Sequence, residues 1–257
     1  MSGTTVRLGK IFGADGRSVV VAMDHGLPGM FPLGHLADPA TLLQDITAAG
    51  ADAILTTPGI AKRFAPHLGR LGLILRLDGG ATSIGEAPRR SSLIASVEGA
   101  LRLGADAVAV MGICGTGDEG QSLATLGAVA TECRALAVPL MAEMLPLGFG
   151  GDPDVEQLAV AARIGAEMGA DIIKTKYLGP SEAYRQVTET CFAPVLVLGG
   201  SQRDLSQVTG TIEEALGAGA AGVAIGRNVW RSGDVRAAVG AIVDAVRPRT
   251  AGGDPRS

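Results

Sequence analysis

The stretch "MGADIIKTK" (168–176) decides how this chain is read, because its pattern returns as "AGADAILTT" (49–57), "LGADAVAVM" (103–111) and "AGAAGVAIG" (218–226). Each copy reads as the last turn of a helix, a glycine, and then a β-rich run. Glycine accepts the left-handed backbone that stops a helix, so the phrase marks a helix-to-strand junction. Four more apolar runs lie between the copies: "VVVAMDHG" (19–26), "LGLILRLDG" (71–79), "VPLMAEML" (138–145) and "APVLVLGG" (193–200). Eight strands are expected.

The intervening segments carry helical periodicity. "DPATLLQDITAAG" (38–50) opens with an aspartate cap and a proline at the first helical position, and sets Leu42, Leu43, Ile46 and Ala49 on one face. "DPDVEQLAVAARIGAEMG" (152–169) repeats the Asp-Pro opening, and "GDVRAAVGAIVDAVR" (233–247) spaces Val235, Val239, Ile242 and Val246 one turn apart. After Thr57 there is room only for a short helix. Near-continuous apolar strands alternating with helices define a parallel sheet covered on both faces. Eight such units predict a single-domain α/β fold, the (β/α)8 TIM barrel, over residues 1–249 with a short N-terminal extension and a disordered tail at 250–257. A doubly wound open sheet would want a glycine fingerprint after the first strand, and "DHGLPGMFPLG" is not G-x-G-x-x-G.

Composition narrows the function. The chain has 257 residues, 47% of them hydrophobic, with a formal net charge of −4 and no basic run, which argues against nucleic acid as partner. Three cysteines without paired spacing, Cys114, Cys133 and Cys191, fit reduced thiols. No apolar stretch has the length of a signal peptide or a membrane span, so a cytoplasmic protein with no membrane partner is expected.

Strand alternation then puts charge inside the barrel. Lys174 and Lys176 follow Ile172 on one face of the sixth strand, and Asp24 follows Val20 and Ala22 on the first. Arg76 and Asp78 follow Ile74 on the third, and Met141, Glu143 and Leu145 share a face of the fifth. All come late in their strands, where barrel active sites lie. For Arg76 with Asp78, a structural ion pair is as good a reading as a functional one. For Lys174, desolvation and a second cation two residues on would both disfavour the ammonium, leaving an amine able to condense with a carbonyl. Two glycine turns follow the last strands, "LGGSQRD" (198–204) and "IGRNVW" (225–230). Gly199, Gly200, Ser201 and Gly226 would let backbone amides approach a phosphate, and Arg227 could pair with it, though ordinary strand-to-helix turns need glycine too. His25, His35 and His67 do not converge, so no metal and no cofactor is expected. His35 and His67 read as surface residues and Cys114 as a small core residue. The loop 25–36 is either a substrate rim or a stiff connector.

With "MDHG" (23–26), "GADIIKTKY" (169–177), "APVLVLGG" (193–200) and "AGVAIGRNVW" (221–230), the chain resembles the archaeal-type class I fructose-bisphosphate aldolase family. That group of DeoC-like Schiff-base aldolases also holds heptulosonate synthases and the autoinducer-2 phosphate thiolase. The resemblance implies the same barrel, a phosphorylated small-molecule substrate, and homo-oligomers built as pentamers or decamers. It makes Lys174 the Schiff-base lysine, Asp24 the acid that handles hydroxyls and protons, and Gly199, Gly200, Gly226 and Arg227 the phosphate site. One departure stands out: Leu145 and Leu147 in "MAEMLPLG" (141–148) replace the Tyr and Arg that aldolase members usually place there. Glu143 is the nearest substitute acid/base, with Asp24 and Lys176 as alternatives, and Asp78 stands where many relatives are uncharged. The expected activity is carbon–carbon bond cleavage or formation in a phosphorylated ketose or related keto compound. Acyl or ketol transfer, and then non-catalytic sugar-phosphate binding, are the alternatives.

Overall fold

In the computed structural model, which describes residues 2–80, 82–85 and 91–248, eight parallel strands close into a barrel. In chain order they are Ser18–Ala22, Ala53–Thr56, Gly72–Arg76, Ala107–Cys114, Leu140–Pro146, Ile172–Thr175, Val195–Leu198 and Gly222–Ile225, and the first pairs with the eighth as well as the second. All eight expected runs hold strands, each shorter than the run that announced it, and those at Ser18–Ala22, Ala107–Cys114 and Leu140–Pro146 reach past one end of the run. The expected tail at 250–257 lies outside the described residues.

The glycines of the repeated phrase behave as read. Gly50, Gly104, Gly169 and Gly219 have φ of 97°, 83°, 102° and 95°, a region open to glycine and costly for other residues. The aspartate two residues on adds something the sequence reading missed. Asp52 Oδ2 accepts the Val19 amide at 2.7 Å, Asp106 Oδ2 the Leu73 amide at 3.0 Å, and Asp171 Oδ2 the Leu140 amide at 2.9 Å. Each even-numbered strand thus clips the start of the odd-numbered strand before it. In the fourth copy the position is Ala221, which offers no such side chain; its backbone carbonyl accepts the Ser18 amide of the first strand at 2.9 Å, just as the Asp52 carbonyl accepts the Gly72 amide at 2.9 Å.

Helices cover the outside. Pro39–Ala48 is capped by Asp38, as expected, Val235–Val246 is capped by Asp234, and Pro58–Arg63 is the short helix after Thr57. The helix expected to open at Asp152-Pro153 starts two residues later, at Val155. There Asp154 accepts the Gln157 amide while the Gln157 side chain accepts the Asp154 amide, and this reciprocal cap outcompetes the proline signal.

Inside the barrel, Val20, Ala22, Leu55, Ile74, Ala109, Met141, Ile172, Leu196 and Ala224 form a buried plug. Its lower end is completed by the N-terminal extension: helix Gly3–Leu8 leads into Ile11, which is fully buried against these residues. Gly72 lets that segment approach, because a Cβ there would overlap the Lys10 carbonyl. The apolar filling ends at Ile74, Met141 and Ile172, and the next inward positions, Arg76, Glu143 and Lys174, begin the polar mouth.

Candidate functional site

The mouth encloses a cavity of about 1240 Å³. Its walls include every sequence-derived candidate: Lys174, Asp24, Glu143, Lys176, Asp78, Gly199, Gly200, Ser201, Gly226 and Arg227. Strand register explains the floor. Glu143 lies beside Lys174 across the fifth and sixth strands, and both point inward from parallel strands in register. The Lys174 amine sits 2.9 Å from Glu143 Oε1. Arg76 holds three carboxylates at once: its Nε meets Asp24 Oδ2 at 3.0 Å, its Nη1 meets Asp78 Oδ1 at 3.3 Å, and its Nη2 donates to Glu143 Oε2.

These pairings set the charge states. Burial works against the Glu143 carboxylate, but Lys174 and Arg76 outweigh it and hold its pKa at about 2. Asp24 follows the same pattern: burial raises its pKa, and Arg76 and Lys174 bring it below the ordinary value. At Asp78 burial wins, and the pKa is raised in spite of Arg76 and a hydrogen bond from the Met111 amide. The Arg76 guanidinium is held in its charged form, because Glu143, Asp24 and Asp78 overcome its burial.

The structure differs from the sequence reading over Lys176. That residue was expected to press its charge on Lys174. Its Nζ instead donates to the Gly151 carbonyl at 2.7 Å, while the charged group facing Lys174 is an anion. Parity alone could not show this, because the sixth strand ends at Thr175 and Lys176 already belongs to the loop. The Arg76–Asp78 pair is real, but it belongs to a wider network that lines the cavity, so the purely structural reading is too narrow.

At the other side of the mouth, the seventh and eighth loops are stitched together by Asn228. Its Nδ2 donates to the carbonyls of Gly199 at 2.8 Å and Ser201 at 3.2 Å, and its Oδ1 accepts the Arg203 amide at 2.8 Å. Gly200 has φ of 62°, and Gly199 and Gly226 are tied to packing, since a Cβ would overlap Ile225 or His25 respectively. Arg227 borders the cavity with its Nε buried and without a hydrogen-bond partner. Burial, and then Arg231, lower its pKa. Such a cation gains from an incoming anion.

Leu145 lines the cavity and brings no polar atom to it. Leu147 does not line it; its backbone takes φ of 59° as the loop turns away. The site residues missed by sequence are His25, Arg203 and Asn228. All lie beyond strand ends, where alternation no longer reports facing; the asparagine in "GRNVW" was the one available signal. His35 is exposed, and His67 is half-buried rather than fully on the surface. Cys114 is buried, and burial pushes its thiol up to about 11, as befits a core residue. Among the described residues, no three His, Cys, Asp or Glu side chains gather as a metal site, and no helix is long and apolar enough to cross a membrane.

Fold and site together define a closed (β/α)8 barrel with a buried, carboxylate-paired amine at its C-terminal mouth. The chain belongs to the DeoC/LacD aldolase family, whose model matches residues 18–232. It is 36% identical over 246 residues to a 2-amino-3,7-dideoxy-D-threo-hept-6-ulosonate synthase of Halobacterium salinarum, covering 94% of this chain and 92% of that one. It is 34% identical over 235 residues to a 2-amino-4,5-dihydroxy-6-oxo-7-(phosphonooxy)heptanoate synthase of Streptomyces griseus, covering 90% and 85%. Among solved structures it is similar to a Schiff base forming fructose-1,6-bisphosphate aldolase, with 32% identity, a TM-score of 0.86, and coverage of 95% of this chain and 99% of that one. A related archaeal aldolase structure, 31% identical with the same TM-score of 0.86 over 95% and 99% of the two chains, carries its catalytic lysine covalently bound to a carbinolamine intermediate of the substrate.

Proposed function

We propose that this chain is a class I aldolase, a carbon–carbon lyase that cleaves or forms a bond in a phosphorylated ketose or related keto compound through an iminium on Lys174. The observation that carries the reading is the Lys174 amine itself. It is buried on the floor of a large cavity, with a carboxylate 2.9 Å away on one side and space for a ligand on the other. An ammonium attacks only after giving up its proton, and Glu143 is placed to take it. The neutral amine adds to the carbonyl, water leaves, and the resulting iminium draws in the electron pair of the adjoining carbon–carbon bond. Asp24, held by Arg76, faces the substrate hydroxyls. The substrate phosphate lies against Gly199, Gly200, Ser201 and Gly226, with Arg227 and Arg203 as its cations. This reading requires neither a metal nor an organic cofactor.

Group transfer of the heptulosonate-synthase kind is the second reading. Leu145 favours it, because an apolar wall beside the lysine suits the docking of a second carbon chain, and relatives at 34% and 36% identity bear synthase names. Supplying an aldehyde acceptor and finding turnover only then would select it. The three cysteines are free and buried, which supports a cytoplasmic location. Val160 and Phe192, exposed on the outer layer, support a homo-oligomer.

The test is reductive trapping. With dihydroxyacetone phosphate and borohydride, the ligand's mass should become fixed on Lys174, and Lys174→Met should fix none. Absence of any adduct on the native protein defeats the reading and leaves a sugar-phosphate-binding barrel in its place.

A further inference from the structure

If Lys174 forms the iminium, one more group must carry the proton that moves between the substrate hydroxyl and carbon, and Leu145 cannot. The neighbouring candidates are already engaged. Glu143 spends one oxygen on Lys174 and the other on Arg76. Asp78 receives Arg76 on one oxygen, and the Met111 amide and Ser91 hydroxyl on the other. Lys176 donates to Gly151.

His25 is differently placed. Its ring borders the cavity and packs edge-on against Trp230, with centroids 5.3 Å apart and planes at 61°. Gly226 leaves no room for a Cβ beside ring atom Cε1, so the ring is wedged in place. Its Nδ1 is buried, makes no hydrogen bond, and lies 3.4 Å from Asp24 Oδ1. We propose that His25, held by its packing and lying beside Asp24, is the catalytic residue that shuttles the aldol proton in place of a tyrosine, an assignment that rests on the Schiff-base reading above.

The proton balance is complete. The Asp24 carboxylate 3.4 Å from Nδ1 favours the tautomer that carries its proton on that nitrogen, which leaves the lone pair on Nε2. Nε2 takes the proton from the hydroxyl on the carbon β to the iminium. The O–H electrons become the second bond of the departing aldehyde, and the carbon–carbon electron pair moves into the enamine, neutralising the iminium nitrogen. The imidazolium then returns the proton to the enamine carbon, and water hydrolyses the regenerated iminium. Condensation runs the same steps backwards.

The charges around His25 favour a resting neutral ring. Burial lowers its pKa most, Asp24 opposes this, Lys174 and Arg227 lower it further, and Glu143 raises it slightly, leaving it below the usual 6.5. A neutral imidazole is the form that accepts a proton.

The experiment uses the whole protein and dihydroxyacetone phosphate in D2O, following deuterium entry at the carbon next to the carbonyl, with borohydride trapping on Lys174 as control. His25→Asn should still trap the ligand, while its exchange rate falls by roughly 100-fold or more. Native exchange should decline as pH falls through a value below 6.5, because protonated His25 cannot accept, and this limb should vanish in the variant. Imidazole added to His25→Ala should restore exchange, which a merely structural histidine would not allow. Exchange in His25→Asn within a few-fold of native, with trapping intact, overturns the proposal alone. A native profile without the acid limb does so too, even if the variant misfolds. No native adduct overturns the Schiff-base reading, and this proposal with it.

Discussion

Glu143 is bound to two cations at once, and that double tie makes it the most informative single substitution at the residue scale. Glu143→Gln keeps the shape but removes the charge, leaving Lys174 without an anion and without a proton acceptor. The rate of adduct formation on Lys174 should fall by about 10²- to 10⁴-fold, measured as the time course of borohydride trapping at neutral pH. The carboxyl also makes the fold acid-sensitive. Its pKa is lowered from 4.5 to about 2, so its stabilisation is fully present above 4.5 and is lost as pH falls towards 2. His25 adds to the loss from 6.5 downward, because the unfolded chain takes up that proton first. Asp78, with its raised pKa, acts in the opposite sense. Much of this site was legible in the sequence. Arg76, Glu143 and Lys174 follow from alternation within their strands, and Asp24 and Asp78 from the same alternation carried two residues past the strand ends. Which charges would touch across strands was not legible, because pairing depends on stagger between neighbouring strands. Arg76 and Asp78, two residues apart, do pair as read, whereas Lys176 turns to the Gly151 carbonyl and Lys174 to Glu143 on the neighbouring strand.

The eight strands were legible at the element scale because a strand covered on both faces reads as a plain apolar run, and because glycine marked where each helix stopped. Less visible was what aspartate does after those glycines. Asp106 supplies the acceptor for the Leu73 amide at 3.0 Å, and Asp106→Ala leaves that donor without its partner. A loss of about 1–2 kcal/mol is expected in urea unfolding, while Asp106→Asn, which keeps an acceptor oxygen, should lose clearly less. Equal losses for both would show that the charge, not the hydrogen bond, is what matters. Helix starts were the weaker part of the reading. The Asp-Pro at 152–153 looked like a cap, but the reciprocal Asp154–Gln157 bonding begins the helix two residues on. Proline at a helix start is permissive, whereas two satisfied amides are decisive.

For the whole molecule, closure leaves none of the eight barrel strands with a free edge, and the buried N-terminal segment seals the end opposite the cavity. Ligand and solvent therefore enter by the mouth. The aspartate clips divide this ring unevenly. Strands one and two, three and four, and five and six are each tied at the base, while strands seven and eight have Ala221 where an aspartate would stand. The barrel is thus built of strand pairs fastened at the base by an aspartate side chain, with backbone hydrogen bonds alone joining one pair to the next there. A chain cut at Ala137, between the second and third pairs, should yield halves that reassemble when co-expressed and recover trapping on Lys174. A cut at Gly104, through the middle of a pair, should not. Insertions, permuted termini or split reporters would be tolerated between pairs for the same reason.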